Sequence, residues 1–213
     1  MDLTEQTIFE YAEAISAPES EILKQLTRET NLKVMNPIML TGKIQGKILQ
    51  FMSMMIQPET ILEIGTYTGY SAICLAQGLK PAGKLHTIEK DPELEDICRK
   101  YIGLSGQENK IELHIGDALQ IIPTLDMQFD LIFIDCDKEI YTAVYQMVFD
   151  KLKPGGYIFA DNVLWHGKIF DEKQQNDKET KGIIDFNTFV KNDKRAEIFL
   201  LPFRDGLMII KKR

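Results

Sequence analysis

Asp135, Asp161 and Asn162 are the residues of this chain whose types and spacing point most directly to chemistry. Asp135 follows the apolar run Phe129-Asp130-Leu131-Ile132-Phe133-Ile134, and Asp161-Asn162 follows Gly156-Tyr157-Ile158-Phe159-Ala160. Read as neighbouring strands, these runs bring three hard oxygens together at their ends. Mg²⁺ takes such donors, as do Ca²⁺ and Mn²⁺. Three protein oxygens leave about three octahedral positions open, which two vicinal hydroxyls and a water would fill. Lys138 lies three residues beyond Asp135 and can face the same space from a starting helical turn. Beside a divalent cation a lysine has its charged form disfavoured, which makes it a usable base. The same residues also have structural readings: a turn after a strand for Asp161-Asn162, a surface lysine for Lys138, and a helix cap for Asp137.

A second group lies earlier in the chain. The run Thr60-Ile61-Leu62-Glu63-Ile64 leads straight into Gly65-Thr66-Tyr67-Thr68-Gly69-Tyr70-Ser71. A strand, a glycine turn and a helix start bring a ligand close to bare backbone. The spacing is GxxxG rather than GxGxxG, which argues against a dinucleotide and suits a cofactor without pyrophosphate, such as S-adenosylmethionine (SAM). On its own, GxxxG also fits plain helix–strand packing. Glu89, roughly 20 residues past the glycines at the end of the next run, can accept hydrogen bonds from ribose hydroxyls. Asp117, in Gly116-Asp117-Ala118 at the end of the third run, can face adenine or simply cap a helix. With SAM at one end and a metal at the other, the chemistry would be methyl transfer to a phenol. The phenol's ordinary pKa of about 10 would be lowered by the metal.

The elements that must position these residues show in the apolar periodicity. Residues 1–57 read as helical, with one helix able to begin at Pro18 and a second pattern through Ile44, Ile48, Leu49, Met52 and Met55. After Pro58, short apolar runs at 60–64, 84–89, 111–115, 129–135 and 156–161 alternate with amphipathic stretches such as 70–79 and 92–102. That alternation predicts an α/β fold, a mostly parallel sheet with helices on both faces. Residues 196–202 and 206–211 read as an antiparallel hairpin closing it. No linker divides the chain, so 1–213 is read as one domain, a helical segment followed by an α/β core over 58–213. The polar stretch 171–181 reads as an exposed loop or a lid.

Composition narrows the function classes. The net charge of −7 gives no general attraction to phosphate backbones or anionic lipid. Cys74, Cys98 and Cys136 show neither a disulfide framework nor a zinc-ribbon spacing. Free thiols, no signal-peptide pattern at the N-terminus and no membrane-length apolar run together predict a cytoplasmic protein. His86, His114 and His166 look scattered: the first two read as structural strand residues, and His166 as a residue able to reach an acceptor. Trp165 and Tyr141 are candidate site walls or core. No GxSxG elbow is present, so a serine hydrolase is not indicated.

These motifs resemble the metal-dependent O-methyltransferases, the family of catechol and caffeoyl-CoA O-methyltransferases, over nearly the whole chain. The segments 62–71, Ile134-Asp135-Cys136-Asp137-Lys138 and Asp161-Asn162-Val163-Leu164-Trp165 resemble that family's cofactor, base and metal motifs. Met39-Leu40-Thr41-Gly42 followed by Gly46 resembles the segment that closes over the methionine part of SAM. The resemblance implies a Rossmann-like class I methyltransferase fold, seven strands with an antiparallel last strand. It also implies a homodimer and a small phenolic acceptor. Carried over by position, Glu63, Gly65 and Ser71 would hold the methionine end. Thr66, Tyr67 and Gly69 would lie in the same turn, with Met39 and Thr41 above it. Glu89 would hold the ribose, and Asp117 with Ala118 the adenine. Asp135 would border the cofactor and bind the metal with Asp161 and Asn162, and Lys138 would be the base. Cys136 stands where relatives often carry alanine or histidine, and Arg204 where many carry glycine. Three other readings compete: a tRNA hydroxyuridine O-methyltransferase, to which a patch of Lys43, Lys47 and Lys211-Lys212-Arg213 would point; a nicotinamide-dependent oxidoreductase; and a non-catalytic cofactor-binding module.

Overall fold

A computed structural model describes residues 5–175 and 177–213. The helical segment comprises α1 (Glu5–Ile15), α2 (Glu21–Lys33) and α3 (Lys43–Ile56), with a 3-10 turn at Pro37–Met39. Helix α2 starts after Ser20, not at Pro18, because the Ser20 side chain accepts from Leu23 N and satisfies a free helix-end amide. Residues 1–4 of the predicted helical segment lie outside the described residues.

The strands are β1 (Thr60–Ile64), β2 (Lys84–Glu89), β3 (Ile111–Ile115), β4 (Phe129–Ile134), β5 (Leu152–Ala160), β6 (Ala196–Leu201) and β7 (Leu207–Lys212). They form a seven-stranded sheet in the order β3-β2-β1-β4-β5-β7-β6. Strands β1 to β5 pair in parallel, and β7 runs antiparallel to both β5 and β6. Between them lie α4 (Tyr70–Ala76), α5 (Glu95–Leu104), α6 (Ala118–Ile121), α7 (Tyr141–Lys151) and α8 (Lys178–Asn192).

Both faces of the sheet are covered, and so the central strands are apolar at nearly every position. Alternate side chains enter two cores. Leu62, Ile132, Ile134 and Ile158 pack with Val144, Val148 and Phe186 of α7 and α8. Ile61, Leu131, Phe133 and Phe159 pack on the other face with Leu26, Leu49 and Ile73 of α2, α3 and α4. Fully burying each such side chain stabilises the fold by roughly 1.5–3 kcal/mol.

Several boundaries shift by one to three residues, and three differences from the sequence reading have a visible form. Strand β5 begins at Leu152, four residues early, where a register irregularity opposite Phe129 and Leu131 admits Pro154-Gly155-Gly156 into the strand. Helix α4 stops at Ala76 rather than 79. The stretch 171–181 is only partly loop: Asp177 accepts from both Thr180 N and Thr180 Oγ1, and that cap starts α8 at Lys178.

The strand order reverses between β1 and β4, with β2 and β3 on one side and β5 on the other. Ligands of open α/β sheets sit in the crevice beyond the carboxyl ends of strands at such a switch point.

Candidate active site

Gly65 follows β1 and lies against the chain that follows β4. Its φ is +99°, and a Cβ built there would lie 1.9 Å from the Asp135 carbonyl oxygen. Only glycine lets these two strand ends approach so closely. The crevice beside them is therefore floored by backbone. Tyr67, Asn162, Trp165, His166 and Arg204 around the same strand ends adopt left-handed φ between 48° and 56°. Left-handed non-glycine residues cost energy and concentrate at ligand sites.

On the β1 side, Glu63 is fully buried and Thr87 Oγ1 donates to its Oε2. Its Oε1 is buried without a hydrogen-bond partner. Burial pushes the Glu63 carboxyl up to about 7, although the hydroxyls of Ser71 and Thr87 favour its charged form. A buried acceptor left unpaired at a crevice suits a cationic ligand group, such as the ammonium of an amino acid. Glu89, also buried, is fixed by Tyr67 N donating to Oε2 at 2.6 Å and Asp91 N donating to Oε1 at 2.8 Å. Thr66 Oγ1 pairs with Thr87 Oγ1, and Ser71 is buried in the first turn of α4. Tyr67 OH reaches the carbonyls of Met35 and Asn36 at 3.1 and 3.2 Å, which ties the segment before Met39 to the glycine turn. Met39 itself is 61% exposed. Asp117 serves as the N-cap of α6, its Oδ1 accepting from Leu119 N at 2.7 Å, and Ala118 is buried beside it.

On the other side, Asp161 is buried. Gln45 Nε2 donates to its Oδ2, and Asn162 N donates to its Oδ1 at 2.9 Å. Its carboxyl is pushed up to about 6, first by burial and then by the negative charge of Asp135. Asp161, which resists ionising beside the charge of Asp135, and Asn162, next in the chain, form with Asp135 a donor set that a divalent cation would relieve. Lys138 is buried on a 3-10 turn. Its Nζ donates to Asp135 Oδ1 at 2.9 Å and to Tyr141 OH at 2.8 Å, and it sits 5.7 Å from the Trp165 ring centroid. Tyr141 OH donates in turn to the Asp161 carbonyl at 2.9 Å. The turn is pressed close to α8, where a Cβ on Gly182 would lie 2.4 Å from the Lys138 carbonyl oxygen.

The structure thus gathers Glu63, Gly65, Thr66, Tyr67, Gly69, Ser71, Glu89, Asp135, Lys138, Asp161 and Asn162 along one line of strand ends, and Lys138 is not a surface lysine. Asp137 caps nothing with its side chain; it pairs with Lys90 at 2.6 Å. The sequence reading missed Gln45 and gave no role to Arg204, whose Nη1 donates to the Gln45 side-chain oxygen at 2.7 Å and to the Thr41 carbonyl at 2.6 Å. It left Tyr141 as wall or core, although its hydroxyl belongs to the lysine network. His86 and His114 are not scattered: with Glu112 they form a cluster on β2 and β3, at the lateral edge of the sheet. Lys212, offered as part of a basic patch, is engaged by the carbonyls of Phe149 and Leu152 at 2.8 and 2.7 Å.

The sheet order and the crevice together define a Rossmann-like methyltransferase fold. A family model described as O-methyltransferase matches residues 13–213. The catechol O-methyltransferase of Niastella koreensis is 36% identical over 161 residues, covering 74% of this chain and 72% of that protein. A caffeoyl-CoA O-methyltransferase of Stellaria longipes is 28% identical over 204 residues, covering 91% of this chain and 84% of its own. The crystal structure of an O-methyltransferase from Bacillus cereus in complex with SAH superposes with a TM-score of 0.89 at 28% identity, covering 97% of each chain. This chain belongs to the O-methyltransferase family.

Proposed function

We propose that this protein moves a methyl group from SAM to one hydroxyl of a catechol-like acceptor, with a divalent cation held by Asp135, Asp161 and Asn162. It is a SAM-dependent O-methyltransferase of the catechol and caffeoyl-CoA type. The observation that carries the finer reading is the packing of Lys138 Nζ against Asp135 at the crevice where Asp161 is buried nearby. When bound, a divalent cation, Mg²⁺ or else Ca²⁺ or Mn²⁺, would acidify and orient two vicinal hydroxyls. Lys138 Nζ takes the acceptor's proton, held in place by Asp135 Oδ1 and Tyr141 OH. The phenolate oxygen then attacks the methyl carbon in line. The C–O bond forms as the C–S bond breaks, and neutral SAH leaves. Charge is neutralised in this step, so alignment supplies much of the rate.

The cofactor roles follow the same line. Glu63 Oε1 accepts from the SAM ammonium, with Gly65, Thr66, Gly69 and Ser71 around the methionine end. Glu89 accepts from the ribose. Asp117 and Ala118 flank the adenine, and Met39 and Thr41 cover the site. Residues 1–213 act as one unit, in the cytoplasm, as a homodimer. Tyr11 and Ile15 on α1 and Phe51 and Met55 on α3, two helices in contact, stay exposed and are the apolar surface for such pairing. Among the described residues no helix is long and apolar enough to cross a membrane.

Glu63 gives a pH signature. Between the ordinary carboxyl value of 4.5 and about 7 the folded apoprotein keeps a proton that the unfolded chain has lost. Its contribution to stability is therefore present at low pH and is lost as pH rises through 7. SAM binding needs the ionised form, so affinity is expected to weaken as pH falls below 7. Glu63→Gln should flatten both trends. Titration calorimetry with SAM from pH 6 to 8 checks this, and equal pH slopes for wild type and variant would remove Glu63 from the ammonium site.

The acceptor is tested with labelled SAM and a panel of a simple catechol, caffeate, caffeoyl-CoA and tRNA carrying hydroxylated or unmodified uridine. Transfer to a catechol-bearing compound is expected. Transfer to tRNA alone would keep the chemistry and overturn the acceptor class.

A further inference from the structure

A second cluster of ligand-type side chains lies on β2 and β3, at the outer edge of the sheet. Glu112 and His114 are two residues apart on β3 and so share one face, and His86 of β2 is the registered partner of Glu112. His86 Nδ1 and His114 Nε2 are 3.1 Å apart, and the two rings stack at 5.4 Å. The Glu112 carboxylate lies 3.6 Å from His86 Nδ1 and 3.7 Å from His114 Nε2. One ligand atom from each residue falls within 4.8 Å of the others.

These spacings match a metal centre. Ligands about 2.0–2.1 Å from a tetrahedral Zn²⁺ stand about 3.3 Å from one another. The imidazole pair is already at that separation, and the carboxylate needs to close by a few tenths of an ångström. Two imidazoles and one carboxylate suit Zn²⁺ and its neighbours Ni²⁺ and Cu²⁺, not Mg²⁺. The approach is open, because the Glu112 side chain is 59% exposed while His86 is buried at the floor. Burial lowers the His86 pKa, which keeps its ring neutral and able to ligate. In the absence of an ion, one imidazole N–H bridges the nitrogen pair, and metal binding would shift that proton to the other nitrogen of the same ring.

We propose that His86, Glu112 and His114 form a binding site for a zinc-class transition metal, distinct from the oxygen set of Asp135, Asp161 and Asn162. His86 packs edge-on to Phe129 at the start of β4, whereas Asp135 follows the end of that strand. By register His86 is level with Leu62 and Ile132, two strands across from β4 and three residues short of Asp135, about 14 Å by strand geometry. The two donor sets share no residue, so an ion held by one leaves the ligands of the other free.

The test is Zn²⁺ titration by calorimetry with excess Mg²⁺ present, on wild type, His114→Ala and Asp161→Ala. Wild type and Asp161→Ala should each take up one equivalent of Zn²⁺ and gain thermal stability. His114→Ala, altered at a partly exposed position, should lose both responses while keeping its methyl transfer. No zinc equivalent in wild type, or one that survives in His114→Ala or disappears in Asp161→Ala, would overturn the proposal. Co²⁺ provides an independent readout: the visible absorption of a four-coordinate centre should appear in wild type and be absent from His114→Ala.

Discussion

Asp161→Ala is expected to lower kcat on the order of 10³-fold and to leave a residual rate that EDTA no longer changes. The magnitude follows from losing several kcal/mol of transition-state stabilisation at about 1.4 kcal/mol per tenfold. Stability should move far less than activity. The fold holds Asp161 against its preference, with burial and the charge of Asp135 both resisting ionisation. Removing the carboxylate relieves that conflict, at the cost of the hydrogen bonds from Gln45 and Asn162 N. Conflicts of this kind are retained where function needs them. An unfolding temperature near that of wild type beside a collapsed rate would mark a binding residue. A large loss of stability with activity retained per folded molecule would mark a structural turn instead. Gln45→Ala offers a graded version, because it frees one oxygen of Asp161 without removing the carboxylate.

Lys138→Ala is expected to lower kcat by about 10²–10⁴, the range for a positioned general base, with the KM for SAM little changed. The structure gives this lysine few alternatives: it is buried, donates to Asp135 and Tyr141, and lies over the rings of Tyr141 and Trp165. Lys138→Arg should fail almost as fully, since a guanidinium keeps its proton at any usable pH. The dependence of rate on pH separates the roles. Loss of a proton acceptor should leave the residual rate rising with pH in step with ionisation of the free phenol. If Lys138→Arg retained the wild-type rate, a charge at this position would suffice, and the proton-transfer role would be lost. Tyr141→Phe should give a smaller loss in the same direction, since it removes one of the two groups that fix Nζ.

The strand ends could be read from the sequence because parallel strands buried on both faces are continuous apolar runs, so an acid at the end of each stands out. That is why Glu89, Asp135 and Asp161 stood out by position and Gly65 by its turn, whereas Glu63, one residue inside β1, entered only through the family resemblance. Gln45 was out of reach. It belongs to α3, meets Asp161 across 116 residues of chain, and looks like any polar residue of an amphipathic helix. Arg204 stood out only as a departure from the family pattern, because its bonds to the Thr41 carbonyl and Gln45 span 163 and 159 residues of chain. The pairing of His86 with His114 needs the β2–β3 register, which short runs do not fix. In the polar stretch 171–181 hydrophobicity was the wrong signal: Asp177 with Thr180 was a helix start, carried by capping chemistry. Asp117 shows the reverse case, an acid in the right place whose visible occupation is the cap of α6.

The most direct single measurement is the rate of methyl transfer from labelled SAM to a simple catechol as Mg²⁺ is titrated into EDTA-treated protein. A rate near zero without metal that rises to saturation with Mg²⁺, and that Asp161→Ala fails to recover at any Mg²⁺ concentration, is the expected result. A rate that EDTA leaves undiminished would contradict the metal role of Asp135, Asp161 and Asn162.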